Sequence, residues 1–184
     1  MDLGLKGLNV LITGGSKGIG RRCADYFADE GANVSICARD KATVDETVSA
    51  ISKKGVKGFG MAVDVAHKAQ LESWVAESAK ALGGIDIVVA NVSALAVDDS
   101  EEAWQKEFEV DMMHTVRLVN LSLPHLEKSK APSITVISSV SGREIDFTGP
   151  AYGAFKAALI HYAHGLAFKL APKMIRVNSV SPGN

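Results

Sequence analysis

Six short runs, apolar at nearly every position and rich in β-branched residues, recur along the chain with longer amphipathic stretches between them. This alternation limits the fold more than any other feature. The runs span residues 9–13, 33–38, 58–63, 86–91, 133–138 and 175–180, and helical patterns fill 18–30, 42–53, 66–82, 101–127 and 151–170. A strand that is apolar on both faces must be covered on both faces, which is the situation of parallel sheets. Strands alternating with helices, joined by right-handed crossovers, then predict a doubly wound parallel α/β sheet. No linker, repeat or low-complexity segment interrupts the pattern, so residues 1–184 are expected to form one domain.

Composition narrows the partners. The 184 residues carry a net charge of -1, with 47% hydrophobic and 22% charged residues, which gives no electrostatic reason to expect nucleic acid or an anionic membrane. No apolar run reaches the roughly 18 residues of a membrane span. Residues 1–6 lack the basic region and apolar core of a signal peptide, so a cytoplasmic location is expected. Cys23 and Cys37 stand apart, with no Cys-x-x-Cys, and read as buried small hydrophobes in a reducing compartment. The five histidines are scattered. His161 and His164 are three apart on one helical pattern, but no further ligand joins them, and they read as surface or interface residues rather than a metal site.

The first run passes into Thr13-Gly14-Gly15-Ser16-Lys17-Gly18-Ile19-Gly20 and then a helix. Glycines between a first strand and a first helix permit a tight turn and let backbone N–H groups approach a pyrophosphate. The sheet is therefore expected to be of the Rossmann type. The second run ends Ile36-Cys37-Ala38-Arg39-Asp40. NAD-binding sites place an acidic residue at this strand end to hold the ribose hydroxyls. Here Ala38 occupies it, with Arg39 next, and a guanidinium suits a 2′-phosphate, with Lys17 as a second cation. NADP(H) is expected over NAD(H). The competing reading gives Asp40 the ribose role and leaves Arg39 on a surface loop.

Tyr152 and Lys156 are four residues apart, one above the other on a helix face. A phenol titrates near 10, and an ammonium roughly 4 Å away, at an effective dielectric near 20, favours the phenolate by at most about 4 kcal/mol. Ser139, at the end of the fifth run, adds a hydroxyl donor; Ser138 and Ser141 are weaker candidates. Pro150 suits the first turn of the following helix.

Together, Thr13-Gly14-x-x-x-Gly18-x-Gly20, Tyr152-x-x-x-Lys156, Ser139 thirteen residues before Tyr152, and the closing Pro182-Gly183 resemble the short-chain dehydrogenase/reductase family. The resemblance runs from residue 7 to 183. It implies a catalytic set of Ser139, Tyr152, Lys156 and Asp111, the last standing where the family has an asparagine that holds a relay water. It also implies cofactor contacts from Gly14, Ser16, Lys17, Gly18, Ile19, Gly20, Arg39, Asp64, Val65, Asn91, Tyr152, Lys156, Pro182 and Gly183. Asp64 also reads as an N-cap for the next helix. Ala90, Val92 and Ser93 depart from the family's Asn-Asn-Ala-Gly, and the Asp111 charge would oppose a phenolate at Tyr152.

The resemblance implies an NADP(H)-dependent oxidoreductase interconverting a carbonyl and a secondary alcohol, with no metal and a homo-oligomeric assembly, dimer or tetramer. A 3-oxoacyl-thioester reductase is one expectation for the substrate; a sugar, polyol or steroid dehydrogenase is another. A non-catalytic nucleotide-binding or scaffold protein on the same fold is the rival class. Family members continue past residue 184 through a substrate-covering lid and a last strand. The sheet is accordingly expected to lack that strand, leaving 175–180 as a hydrophobic edge.

Overall fold

A computed structural model of the chain describes residues 2–145 and 149–183. Six strands form one sheet: β1 (Asn9–Thr13), β2 (Asn33–Ala38), β3 (Gly58–Ala62), β4 (Ile87–Ala90), β5 (Ser133–Ile137) and β6 (Arg176–Val180). Every pairing is parallel and the spatial order is β3-β2-β1-β4-β5-β6. The order reverses between β1 and β4, the topological switch point where doubly wound sheets bind their ligands. The expected Rossmann-type sheet is what the chain forms.

Helices α1 (Gly18–Asp29) and α2 (Lys41–Ser52) cover one face of the sheet, where Val10, Ile12, Ile36, Val44 and Ile51 are buried. The other face is covered by α3 (Lys68–Leu82), α5 (His114–Leu126) and α6 (Pro150–Leu170), around Leu11, Trp74, Val88, Leu118, Ile134 and Leu159. Burying both faces explains why β1 and β4 lack the alternation of a half-exposed strand.

The stretch expected to be one helix over 101–127 is broken in its middle. α4 (Glu101–Glu107) runs into a π-helical turn, Phe108–Met113, before α5 begins. Ser100 caps α4 by accepting from Ala103 N–H at 3.1 Å. After β5 a short 3₁₀ turn, Val140–Gly142, precedes α6, which opens on Pro150 as expected.

Several local expectations shift. Asp64 does not cap α3; it accepts from Ala66 N–H at 3.0 Å in a turn, and His67 stands at the cap position. Cys37 is fully buried, but Cys23 is only partly covered in α1. β6 is the edge strand, and it is more polar than expected, because apolar Ile175 is buried just before it while Arg176 and Asn178 face out. Among the described residues no helix is long and apolar enough to cross a membrane, and none group as metal ligands. His161 and His164 are exposed.

Candidate active site

The carboxyl ends of β1, β2, β3 and β4 border a cavity of about 240 Å³, lined among others by Gly14, Ser16, Lys17, Arg39, Asp64 and Val65. The glycine turn is shaped by two constraints. Gly14 and Gly18 have φ of +66° and +54°, a region that suits glycine. A Cβ on Gly20 would lie 2.3 Å from the Gly14 carbonyl oxygen, so only a bare backbone lets α1 start this close to the turn. No side chain caps α1 and no acidic residue sits in its first turn. Uncapped N–H groups at a helix N-terminus form a cradle for a phosphate. The turn thus fits a dinucleotide's pyrophosphate, and the absence of any acid at Ala38 fits a phosphorylated ribose. Asp40 is engaged elsewhere: it N-caps α2 by accepting from Thr43 N–H at 2.8 Å, and that bond holds its carboxyl below the usual range.

Asn91 ties β4 to the glycine turn. Its Nδ2 donates to the Thr13 carbonyl at 3.0 Å, and its backbone N–H donates to Thr13 Oγ1 at 3.0 Å. The turn is braced a second time from α5. His114 is fully buried, with Nδ1 3.0 Å from the Val110 carbonyl and Nε2 3.0 Å from Thr13 Oγ1. Burial pushes the imidazole down to about 4, so it is neutral. Facing a carbonyl, Nδ1 carries the proton, and Nε2 accepts from the Thr13 hydroxyl.

The second half of the site lies at the end of β5. Tyr152, Ser139 and Lys156 are all buried, at 8%, 8% and 2% exposure. Their elements are locked together. A Cβ on Gly142 would meet the Lys156 backbone at 2.7 Å, and one on Gly153 would meet the Ser141 carbonyl oxygen at 3.1 Å. Ser138 Oγ donates to the Lys156 carbonyl at 2.8 Å, which gives that serine a structural bond. Ser139 Oγ accepts from Ser141 N–H at 3.2 Å and donates to Ser141 Oγ at 3.1 Å. Lys156 Nζ lies 5.4 Å from the Tyr152 ring centroid and donates to the Ile137 carbonyl at 3.3 Å. Pro182 reaches the same turn, its carbonyl accepting from Val140 N–H at 2.9 Å, with Gly183 beside Val140.

Asp111, from the π-helical turn, enters this cluster with no exposed surface. Its Oδ1 is 2.8 Å from Lys156 Nζ, and its Oδ2 accepts from Ala94 N–H at 2.8 Å. One residue went unremarked in the sequence: Glu107, also fully buried, which accepts from Ala96 N–H at 2.7 Å and hydrogen-bonds Asp111. Burial, then the bond to Asp111 and the Asp111 charge, push the Glu107 carboxyl up to about 8. The available signal was spacing. Ala103, Glu107, Asp111, His114 and Leu118 recur at three and four residues along one stripe, and all five are buried.

Residues 8–184 match the short chain dehydrogenase family. Isoepoxydon dehydrogenase of Penicillium expansum is 44% identical, covering 100% of this chain and 72% of that protein. L-sorbose reductase from Gluconobacter frateurii, in complex with NADPH and L-sorbose, superposes with a TM-score of 0.95 at 32% identity over 100% of this chain and 72% of its own. A 7α-hydroxysteroid dehydrogenase bound to NADH and 7-oxo glycochenodeoxycholic acid superposes at 0.93, with 28% identity, over 97% of this chain and 71% of its own. A glycine turn at the switch point, a buried tyrosine–lysine pair beside a serine, and these likenesses lead to one conclusion: the chain belongs to the short-chain dehydrogenase/reductase family of oxidoreductases.

Proposed function

We propose that residues 1–184 form a Rossmann-type dinucleotide-binding and catalytic domain that interconverts a ketone and a secondary alcohol with NADP(H). The observation that carries this reading is the convergence of Tyr152, Lys156 and Ser139, all buried, on the carboxyl end of β5 next to the glycine-turn cavity. When bound, the nicotinamide supplies the hydride. Ser139 Oγ turns its proton from Ser141 to the substrate oxygen and orients it. Tyr152 gives its phenolic proton to that oxygen as negative charge develops. The Lys156 ammonium stabilises the phenolate that remains and is the group nearest the ring for holding a ribose hydroxyl. Arg39 and Lys17 take the 2′-phosphate, Asp64 and Val65 border the adenine, Ser16 and Ile19 flank the pyrophosphate, and Pro182 and Gly183 line the nicotinamide side.

The substrate we propose is a ketone on a small oxygenated carbon skeleton rather than a 3-oxoacyl thioester. The 44% identity to an isoepoxydon dehydrogenase and the close superposition on a sorbose reductase support it. Half-exposed Trp104 and Phe108, packed on Phe155, give α4 and α6 an apolar face that supports association of copies of this chain.

Turnover of NADPH against a panel of cyclic ketones, ketoses and acyl thioesters tests the reading. Tyr152→Phe is expected to abolish turnover with cofactor binding retained; undiminished turnover overturns the assigned acid.

A further inference from the structure

Two buried oxygens in the site have no hydrogen-bond donor, Glu107 Oε2 and Asp111 Oδ1. They belong to neighbouring carboxyl groups, four residues apart, that hydrogen-bond each other. A bond between two carboxyls needs a proton. With both ionised, two negative charges would share a dry pocket, and no donor among the described residues would lie between them; like charges at such range do not both persist. The position of the proton follows from what else touches each group. Asp111 has the Lys156 ammonium at 2.8 Å and the Ala94 N–H on its other oxygen. Glu107 has only the Ala96 N–H. The cation sits on Asp111, so the proton sits on Glu107.

We propose that Glu107, as the protonated member of an acid–carboxylate pair with Asp111, is a positioning residue that holds Lys156 and the 94–96 backbone in their working geometry, and that loss of its proton switches this geometry off. The proposal rests on the tyrosine–lysine chemistry above. With Glu107 neutral, one carboxylate faces one ammonium, and the ion pair closes without surplus charge. With Glu107 ionised, two carboxylates compete for Lys156 and draw it away from Tyr152. The groups facing the pair are few: Lys156 and Tyr152 from α6, and neutral His114 one turn on. The same pair fixes residues 94 and 96, and Val92, Ser93 and Ala94 line the cofactor cavity, so the proton state also reaches the nucleotide.

The test uses the full-length protein and two variants. Glu107→Gln retains an acceptor for Ala96 and a donor for Asp111 but cannot titrate. Glu107→Leu retains neither. The wild-type kcat profile is expected to fall through an inflection near pH 8, and that inflection is expected to vanish in Glu107→Gln. Glu107→Leu is expected to turn over about 100-fold more slowly than Glu107→Gln, the size of effect that a misplacement of about 1 Å produces. Infrared difference spectra between pH 7 and pH 9 are expected to show a carboxylic-acid carbonyl band that Glu107→Gln lacks. A Glu107→Gln profile superimposable on wild type, or no such band in the wild type, overturns the proposal. Either result alongside an inactive Tyr152→Phe overturns this inference alone, whereas an active Tyr152→Phe overturns the catalytic assignment beneath it.

Discussion

Lys156 Nζ lies 2.8 Å from Asp111 Oδ1, and neither side chain is more than 2% exposed. Such a pair adds little net stability, yet removing one member strands the other charge in a dry site, at a cost of about 3–5 kcal/mol. Asp111→Leu is expected to lower the urea midpoint accordingly, because Ala94 N–H loses its acceptor as well. Asp111→Asn keeps that acceptor and is expected to lose less. Identical midpoints for Asp111→Leu and wild type would show that the pair is not formed.

Cofactor choice depends on the cations at the end of β2 and in the glycine turn. A charge-assisted bond to phosphate is worth about 1.5–3 kcal/mol, so Arg39→Leu is expected to weaken NADPH binding by about 10- to 100-fold. NADH, which offers no 2′-phosphate, is expected to change little. Fluorescence titration with both nucleotides checks this, and parallel losses for the two would count against Arg39.

The glycine turn makes a contrast between two neighbours. Nothing lies within 4 Å of a Cβ built on Gly18, whereas one on Gly20 meets backbone at 2.3 Å. Gly18→Ala is therefore expected to cost only the strain of a positive φ, about 1–2 kcal/mol. Gly20→Ala must push α1 off the turn, so beyond an overpacking cost of about 1–3 kcal/mol it is expected to abolish NADPH binding. Calorimetric titration of both variants separates the two effects, and equal cofactor affinity would refute the close-approach argument.

Acid sensitivity is expected to come in part from His114. Its ordinary value is 6.5 and its folded value about 4, so the unfolded chain takes up a proton first. Its contribution is fully present above pH 6.5 and is lost as pH falls toward 4, to a total of about 3 kcal/mol. Glu107 has the opposite sign. With its folded value raised from 4.5 to about 8, its contribution is present below pH 4.5 and is lost as pH rises through 8. Urea midpoints at pH 7 and pH 5 are expected to fall further for wild type than for His114→Gln, since Glu107 is common to both. Equal falls would exclude the buried neutral imidazole as the cause.

The sheet was legible because parallel strands are covered on both faces, which leaves runs such as Val10, Leu11 and Ile12 with no polar interruption. The tyrosine–lysine pair and the glycine turn were legible for a related reason, since helical spacing and a missing Cβ are properties of the chain itself. Glu107 and His114 were not. A glutamate and a histidine within an amphipathic stretch read as its solvent face, and only the packing of α4 and α5 shows that this stripe points inward. The π-helical turn was equally invisible, because it alters the phase of the pattern rather than its composition. Asp111 was read as a charge opposing Tyr152, whereas in the fold its carboxylate is the direct partner of Lys156.

The π-helical turn at Phe108–Met113 also bears on how this gene can change length. In an ordinary helix each residue advances the chain by about 100°. Deleting one residue from 108–113 would straighten the helix and rotate everything beyond it by about that angle, swinging His114 from beneath Thr13 and Leu118 out of the core. Insertions and deletions are tolerated mainly in surface loops. Here, inside a helix, the number of residues is held as tightly as their identity.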